Sequence, residues 1–214
     1  MHRAEARSPS RDTRKKRRTQ ADRSANARAA LIAAARSVLS DLGFRHATTA
    51  AIARRAEVST GSLHHHYATK EDLLISVLDD VGATVVSELE RLTDNGSGSE
   101  EFAQQAVNVL WRIYGNRQYW AVWEINIGLR SDKSFAQMLT EHRRSVRDRM
   151  HDAIAHNPNL SAPTKGVLLT ELPFILSTMR GMFMETFAAQ HPGQFEDQLA
   201  KLVLILARDL EQAG

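Results

Sequence analysis

The chain has 214 residues, 43% of them apolar, 25% charged and none of them cysteine; this suffices for one or two domains with a real core and excludes disulfides, thiolate metal sites and a cysteine nucleophile. No run of about 18 apolar residues suggests a membrane-crossing helix and the N-terminus lacks the apolar stretch of a secretory signal, so a cytoplasmic protein with no membrane partner is expected. The net charge of +3 conceals an imbalance, because residues 1–70 carry 15 Lys/Arg against 5 Asp/Glu while residues 71–214 carry 13 against 20, so only the front third suits a polyanion such as nucleic acid.

Residues 1–23 read as a flexible basic arm. Arg14, Lys15, Lys16, Arg17 and Arg18 form one run, with Pro9 and several serines nearby and almost nothing apolar to bury. Such an arm either lies along phosphates or in a minor groove, or is a solvated tail. From Ser24 to Leu42 the residues Ala27, Leu31, Ala34, Val38, Leu39 and Leu42 recur at helical steps. Ser24 or Asn26 can cap that helix, Gly43 supplies a left-handed stop, and Phe44 is placed to fold back onto its end.

Two short helices follow. Thr48 or Thr49 caps the first, with Ile52, Ala53 and Ala56 inward, and Val58 plugs the turn. Ser59 caps the second, with Leu63 and Tyr67 inward. Small alanines allow two short helices to cross closely, as a helix-turn-helix requires. Thr69 then caps a longer helix from Lys70 to Leu92, ended by the turn-rich Thr93–Ser99. Helical patterns continue over Glu100–Tyr114, Gln118–Leu129, Ser134–His156, Pro163–Gln190 and Gln194–Gln212, with no alternating strand pattern of useful length. The predicted class is all-α.

The segment Ala30–Leu74, "ALIAAARSVLSDLGFRHATTAAIARRAEVSTGSLHHHYATKEDLL", resembles the DNA-binding domain of the TetR family of repressors. The resemblance lies in a first helix ending in glycine and an aromatic, paired threonines opening the second, Ile52-Ala53 followed by Ala56, and Val58-Ser59. It continues through Gly61, Leu63, Tyr67, Lys70 and Leu73-Leu74. It implies a three-helix DNA-binding domain over 24–70 and a C-terminal antiparallel helical bundle for ligand binding and dimerisation over 71–214. The DNA-binding set expected from it is Thr48, Thr49, Ser59, Thr60, Gly61, Ser62, His64, His65, His66 and Lys70. Thr49 and His64 would meet the backbone, Thr60, Ser62 and His65 base edges, and His66 and Lys70 phosphate.

Side-chain size points the same way, since Ser59, Thr60, Gly61 and Ser62 are small enough for the helix start to enter a major groove about 12 Å wide. A lysine in a helix's first turn opposes the macrodipole, and a phosphate beside Lys70 would reverse that penalty. The chain departs from the family at His64, where tyrosine is typical, and at Ala50, where some members read bases with arginine. At Glu57, where glycine is common, a left-handed backbone would cost about 1 kcal/mol. His64, His65 and His66 point about 100° apart around a helix, so they do not converge on one ion, and neither metal nor cofactor is expected.

In the second half, Trp111, Tyr114, Tyr119, Trp120, Trp123, Phe135, Met138, Met179 and Phe183 are candidates to line a cavity for a small, largely apolar effector; the alternative is that they form plain core or dimer interface. Glu124, Asn126, Arg130 or Glu185 would supply a polar anchor. Leu168, Leu172, Ile175, Met179 and Met182 on one helix, with Leu199, Leu202, Val203, Ile205 and Leu206 on the next, are expected to form a homodimer through the last two helices. Gly181 then marks a close helix crossing and Pro173 a kink or break. The resemblance implies a homodimer on a near-palindromic double-stranded DNA operator, released by the effector. Activation and nonspecific nucleoid binding are the alternatives. Catalysis is not expected: Glu141 with His142, and Asp148 with Asp152, lie on a helix so rich in arginine that a salt-bridged face accounts for them.

Overall fold

The computed structural model describes residues 20–94, 96, 98–186 and 193–214. The basic arm thus lies almost wholly outside the described residues. Helix α1 spans Gln20–Leu42, starting four residues before the expected Ser24, and buries Leu31, Ala34, Ala35, Val38 and Leu39. Gly43, at φ 78°, ends it, its N–H donating to the Leu39 carbonyl at 3.0 Å.

Helices α2 (Thr49–Arg55), α3 (Thr60–His66) and α4 (Lys70–Glu90) begin at the expected caps. The Thr48 hydroxyl accepts from the Ala51 N–H at 3.1 Å and the Ser59 hydroxyl from the Ser62 N–H at 3.0 Å. Thr69 and Asp72 cap one another reciprocally, at 3.1 and 2.9 Å. Each cap contributes about 1 kcal/mol, a large share of what holds a seven-residue helix. Leu31, Leu39, Ile52, Leu63, Leu73, Leu74 and Val77, all at 0% exposure, close the front core.

The second half is built from α5 (Ser99–Tyr114), α6 (Trp120–Gly128), α7 (Lys133–Ala155), α8 (Ala162–Glu185) and α9 (Glu196–Ala213), with one 3₁₀ turn at Arg117–Tyr119. Among the described residues there is no strand. Helix α4 packs chiefly on α7, and α5 on α9. The two halves interlock, because Ala121 and Ile125 of α6 and Phe135 of α7 are buried in the front core.

Helix α8 departs from expectation three times. It runs through Pro173 without a break, leaving the Leu169 carbonyl without its usual i+4 donor. Leu168, Leu172, Ile175, Met179 and Met182, expected at a dimer interface, are buried within the protomer, as are Leu202, Val203 and Leu206 of α9. The exposed stripe of α8 is instead Gly166, Thr170, Phe174, Ser177 and Gly181, and no described residue lies within 4 Å of a Cβ built on Gly181. Finally, α8 is long and apolar enough, by length and composition, to cross a membrane, which the sequence reading did not expect; here its apolar side is the core of the bundle.

A buried asparagine ties the end of α4 to the α7–α8 turn. Asn157, 3% exposed, directs its amide N–H groups at the carbonyls of Leu89 (3.1 Å), Glu90 (3.2 Å) and Leu92 (3.0 Å) and accepts from the Asn159 N–H at 2.8 Å. These carbonyls lie at and just past the end of α4, where helical donors run out, so losing the amide that gathers them is costly. Asn157→Ala is expected to lower the unfolding free energy by about 2 kcal/mol, read as a reduced urea midpoint; an unchanged midpoint would show that water satisfies those carbonyls equally well.

Candidate nucleic-acid interface and ligand cavity

Helix α3 is held from beneath by Leu63 (0% exposed) and Tyr67 (6%). Its outer face carries the exposed Thr60, Gly61, His64 and His65, with Ser62 and His66 half-buried at its edges. The His65 and His66 rings meet edge to face at 5.4 Å. Thr48 and Ser59 are exposed but spend their hydroxyls on the caps, and Thr49 is half-buried at the start of α2. Glu57 takes φ 57°, so the turn between α2 and α3 uses the left-handed backbone at a non-glycine residue. Arg55 is drawn to α1, where it bonds the Ser37 hydroxyl and pairs with Asp41 at 3.2 Å. The Arg55 hydrogen bond leads the interactions that hold the Asp41 carboxyl below the usual carboxylate range.

Lys70 is half-buried, its Nζ 4.2 Å from the centre of the Phe44 ring, and burial pushes its ammonium pKa down. Phe44, expected to fold back onto the end of α1, packs against the front core and also reaches α6. Its backbone N–H donates to Glu124 Oε2 at 2.7 Å, and a Cβ at Gly128 would overlap its ring. Lys70, Phe44, Glu124 and Gly128 thus form one joint between the front domain and the bundle, which the sequence reading missed because its partners lie 80 residues apart.

The bundle forms a half-open cavity of about 600 Å³ between α4, α5, α6, α7 and α8, within the size range of small-molecule sites. Of the nine residues expected to line it, Tyr114, Tyr119 and Trp123 do. Trp111 lies edge to face on Phe195 at 5.5 Å, and Trp120 against Phe183 at 5.0 Å. Met179 and Phe183 are core at 0% and 1% exposure, Phe135 belongs to the front core, and Met138 is half-buried elsewhere on α7. Of the expected anchors, Asn126 lines the cavity and accepts from Arg143 at 2.7 Å. Glu124 faces Phe44, Arg130 bonds the Ile127 carbonyl at 2.9 Å, and Glu185 is exposed at the end of α8.

The polar wall that the sequence reading missed consists of Arg143, Arg147, Arg180, His142 and His151. Arg180 was the detectable member, as the lone charge in the apolar run Pro173–Met184, on the same helix face as Leu169 and Leu176. Its guanidinium lies against the Tyr114 and Tyr119 phenols, with Cζ 5.5 Å from the Tyr114 ring centre. Burial pushes both tyrosine pKa values up. Burial also lowers that of His142, partly opposed by Asp79, whose Oδ1 lies 3.2 Å from its Nδ1.

Residues 31–77 match the family described as bacterial regulatory proteins of the tetR family. Residues 31–77 thus form a DNA-binding domain of the tetR type. The A-factor receptor protein of Streptomyces griseus is 37% identical over 71 residues, 31% of this chain and 26% of that protein. The transcriptional regulator BetI of Escherichia coli is 37% identical over 78 residues, 36% of this chain and 40% of its own. The chain therefore matches between about a quarter and two fifths of these relatives' lengths, at the DNA-binding end. Solved TetR-like structures extend the likeness of fold to most of the chain. A transcriptional regulator from Rhodococcus sp. Rha1 aligns with a TM-score of 0.58 at 17% identity, over 87% of this chain and 95% of its own. The fatty acid degradation regulator FadR of Bacillus halodurans gives 0.58 at 18%, over 85% and 96%. The multidrug binding protein EbrR complexed with imidazole gives 0.51 at 20%, over 85% and 93%.

The joint beneath Lys70 is directly testable. Gly128→Ala is expected to lower stability by about 1–3 kcal/mol through the clash with Phe44, whereas Gly128→Ala combined with Phe44→Leu should recover much of that loss. Equal urea midpoints for the single variant and the parent protein would show that the ring has room to move.

Proposed function

We propose that the chain is a homodimeric transcription regulator, acting as a repressor, that binds a near-palindromic operator through α3 and releases it when a small molecule fills the bundle cavity. The observation that carries this is the outer face of α3: small at its start, capped at Ser59, exposed at Thr60, Gly61, His64 and His65, and held rigidly by Leu63 and Tyr67. A helix built this way suits major-groove entry, and phosphate contacts from Lys70 and Thr49 would set its register.

Support for the dimer comes from the apolar and small face that α8 and α9 leave outward. Phe174 and Leu204 are 49% and 58% exposed, and Gly166, Thr170 and Gly181 flank Phe174 along α8 with no bulk above them. Small residues around a projecting aromatic favour close helix packing across a two-fold axis. Two copies would present two α3 helices to half-sites roughly 34–36 Å apart.

The release mechanism follows from α6. Its Val122, Trp123 and Asn126 wall the cavity, while its Glu124 and Gly128 grip Phe44, on which Lys70 rests. A ligand that displaces α6 therefore shifts Phe44 and the start of α4, changing the spacing of the two recognition helices. A tenfold loss of operator affinity needs only about 1.4 kcal/mol of coupling. That EbrR is described as a multidrug binding protein supports reading the cavity of this fold as an effector site.

The test is a mobility-shift and footprinting assay with duplex DNA flanking the protein's own gene. Protection of one short symmetric site is expected. Ser62→Glu should weaken binding at least tenfold, because a carboxylate would meet phosphates at the groove mouth. Uniform coverage of the duplex, or full binding by the variant, overturns the assignment.

A further inference from the structure

We propose that the effector is an amphipathic organic anion, a carboxylate on an apolar body, seated with its head at Arg180. This rests on the cavity being the effector site, and it adds a charged head to the largely apolar ligand expected from the sequence. Three arginines and two histidines line the cavity, and no aspartate or glutamate does. Among the described residues no carboxylate pairs with Arg180. Its neighbours are the phenols of Tyr114 and Tyr119, whose rings lie 4.9 Å apart and whose hydroxyls burial keeps protonated and neutral. A guanidinium does not shed its proton, so a half-buried one without a counter-ion leaves a standing positive potential in the cavity.

The acid beside the lining residue His142 is already engaged. Asp79 pairs with Arg149 at 3.0 Å and His142 at 3.2 Å, and it is not part of the lining. Arg143 is steered by its bond to Asn126 Oδ1 at 2.7 Å, an interaction that positions the guanidinium without neutralising it. The indole N–H of Trp123 is buried with no acceptor among the described residues. Most of the cavity's unspent polar groups are thus donors or cations, so the complementary ligand atoms are acceptors carrying negative charge. Away from Arg180 the wall is Leu78, Val81, Val85, Leu169 and Leu172, which suits an apolar tail or ring. A planar carboxylate matches the guanidinium fork with two parallel hydrogen bonds.

The experiment measures direct binding to the full chain, without DNA, by isothermal titration and thermal shift. The probes are decanoate and 1-naphthoate, each against its alcohol and its primary amine. We expect each carboxylate to bind at least tenfold more tightly than its alcohol, and the amines to bind more weakly still. Arg180→Met, which keeps the volume and removes the charge, should abolish the carboxylate's advantage while leaving alcohol binding and operator binding in place; the retained binding shows that the variant folds. An alcohol or amine that binds as well as its carboxylate overturns the inference, as does the absence of binding by every probe or full anion preference in Arg180→Met. Operator release is read separately. Carboxylates that bind but leave the operator complex intact would refute the regulatory reading and spare the anion site. Neutral compounds that release the operator would do the reverse.

Discussion

The contact on which the molecule's two halves depend is the seat of Phe44 on α6. Glu124 accepts the Phe44 backbone N–H, the absent side chain of Gly128 makes room for the ring, and Lys70 covers the ring's other side. A cation over an aromatic face is held by the ring quadrupole, and partial burial strengthens that attraction. The start of α4, which we propose meets DNA, is therefore braced by a helix that also walls the cavity. Neither half has a comparable brace of its own at that position.

Helix α8 organises the rest. Its inward side supplies Leu168, Leu172, Ile175, Met179 and Phe183 to the bundle core, and Arg180 and Leu176 to the cavity. Its outward side is small except for Phe174. A helix that is apolar nearly all round is one with no face turned fully to water. Pro173 lies in the cavity wall, and its missing backbone N–H leaves the carbonyl of Leu169, another lining residue, without its helical donor.

The front domain was legible in the sequence because its determinants are local. Thr48, Ser59 and Thr69 cap helices through bonds that span three residues, and the fit of Ile52, Leu63 and Tyr67 follows from helical spacing alone. Glu57 was legible through the resemblance, as the turn position where glycine is common, and it does take φ 57°. The bundle was legible only as helices. Periodicity cannot say which stripe of α8 faces inward when both stripes lack charge, so core residues were assigned to an interface. Aromatic content was a poor guide to the cavity, because Trp111, Trp120 and Phe183 pack against other aromatics as readily as they would against a ligand. Charge was the better signal: Arg180, isolated in an apolar run, had to face either solvent or something that wanted a cation.

The position of Val122 bears on how the molecule comes apart. Its side chain packs against the front core and the bundle core alike, with Ala121 and Ile125 beside it sealed into the former. Two hydrophobic clusters that share a wall cannot lose their order independently, since melting one exposes apolar surface belonging to the other. The shared wall therefore couples the unfolding of the two cores, and displacing α6 loosens both at once.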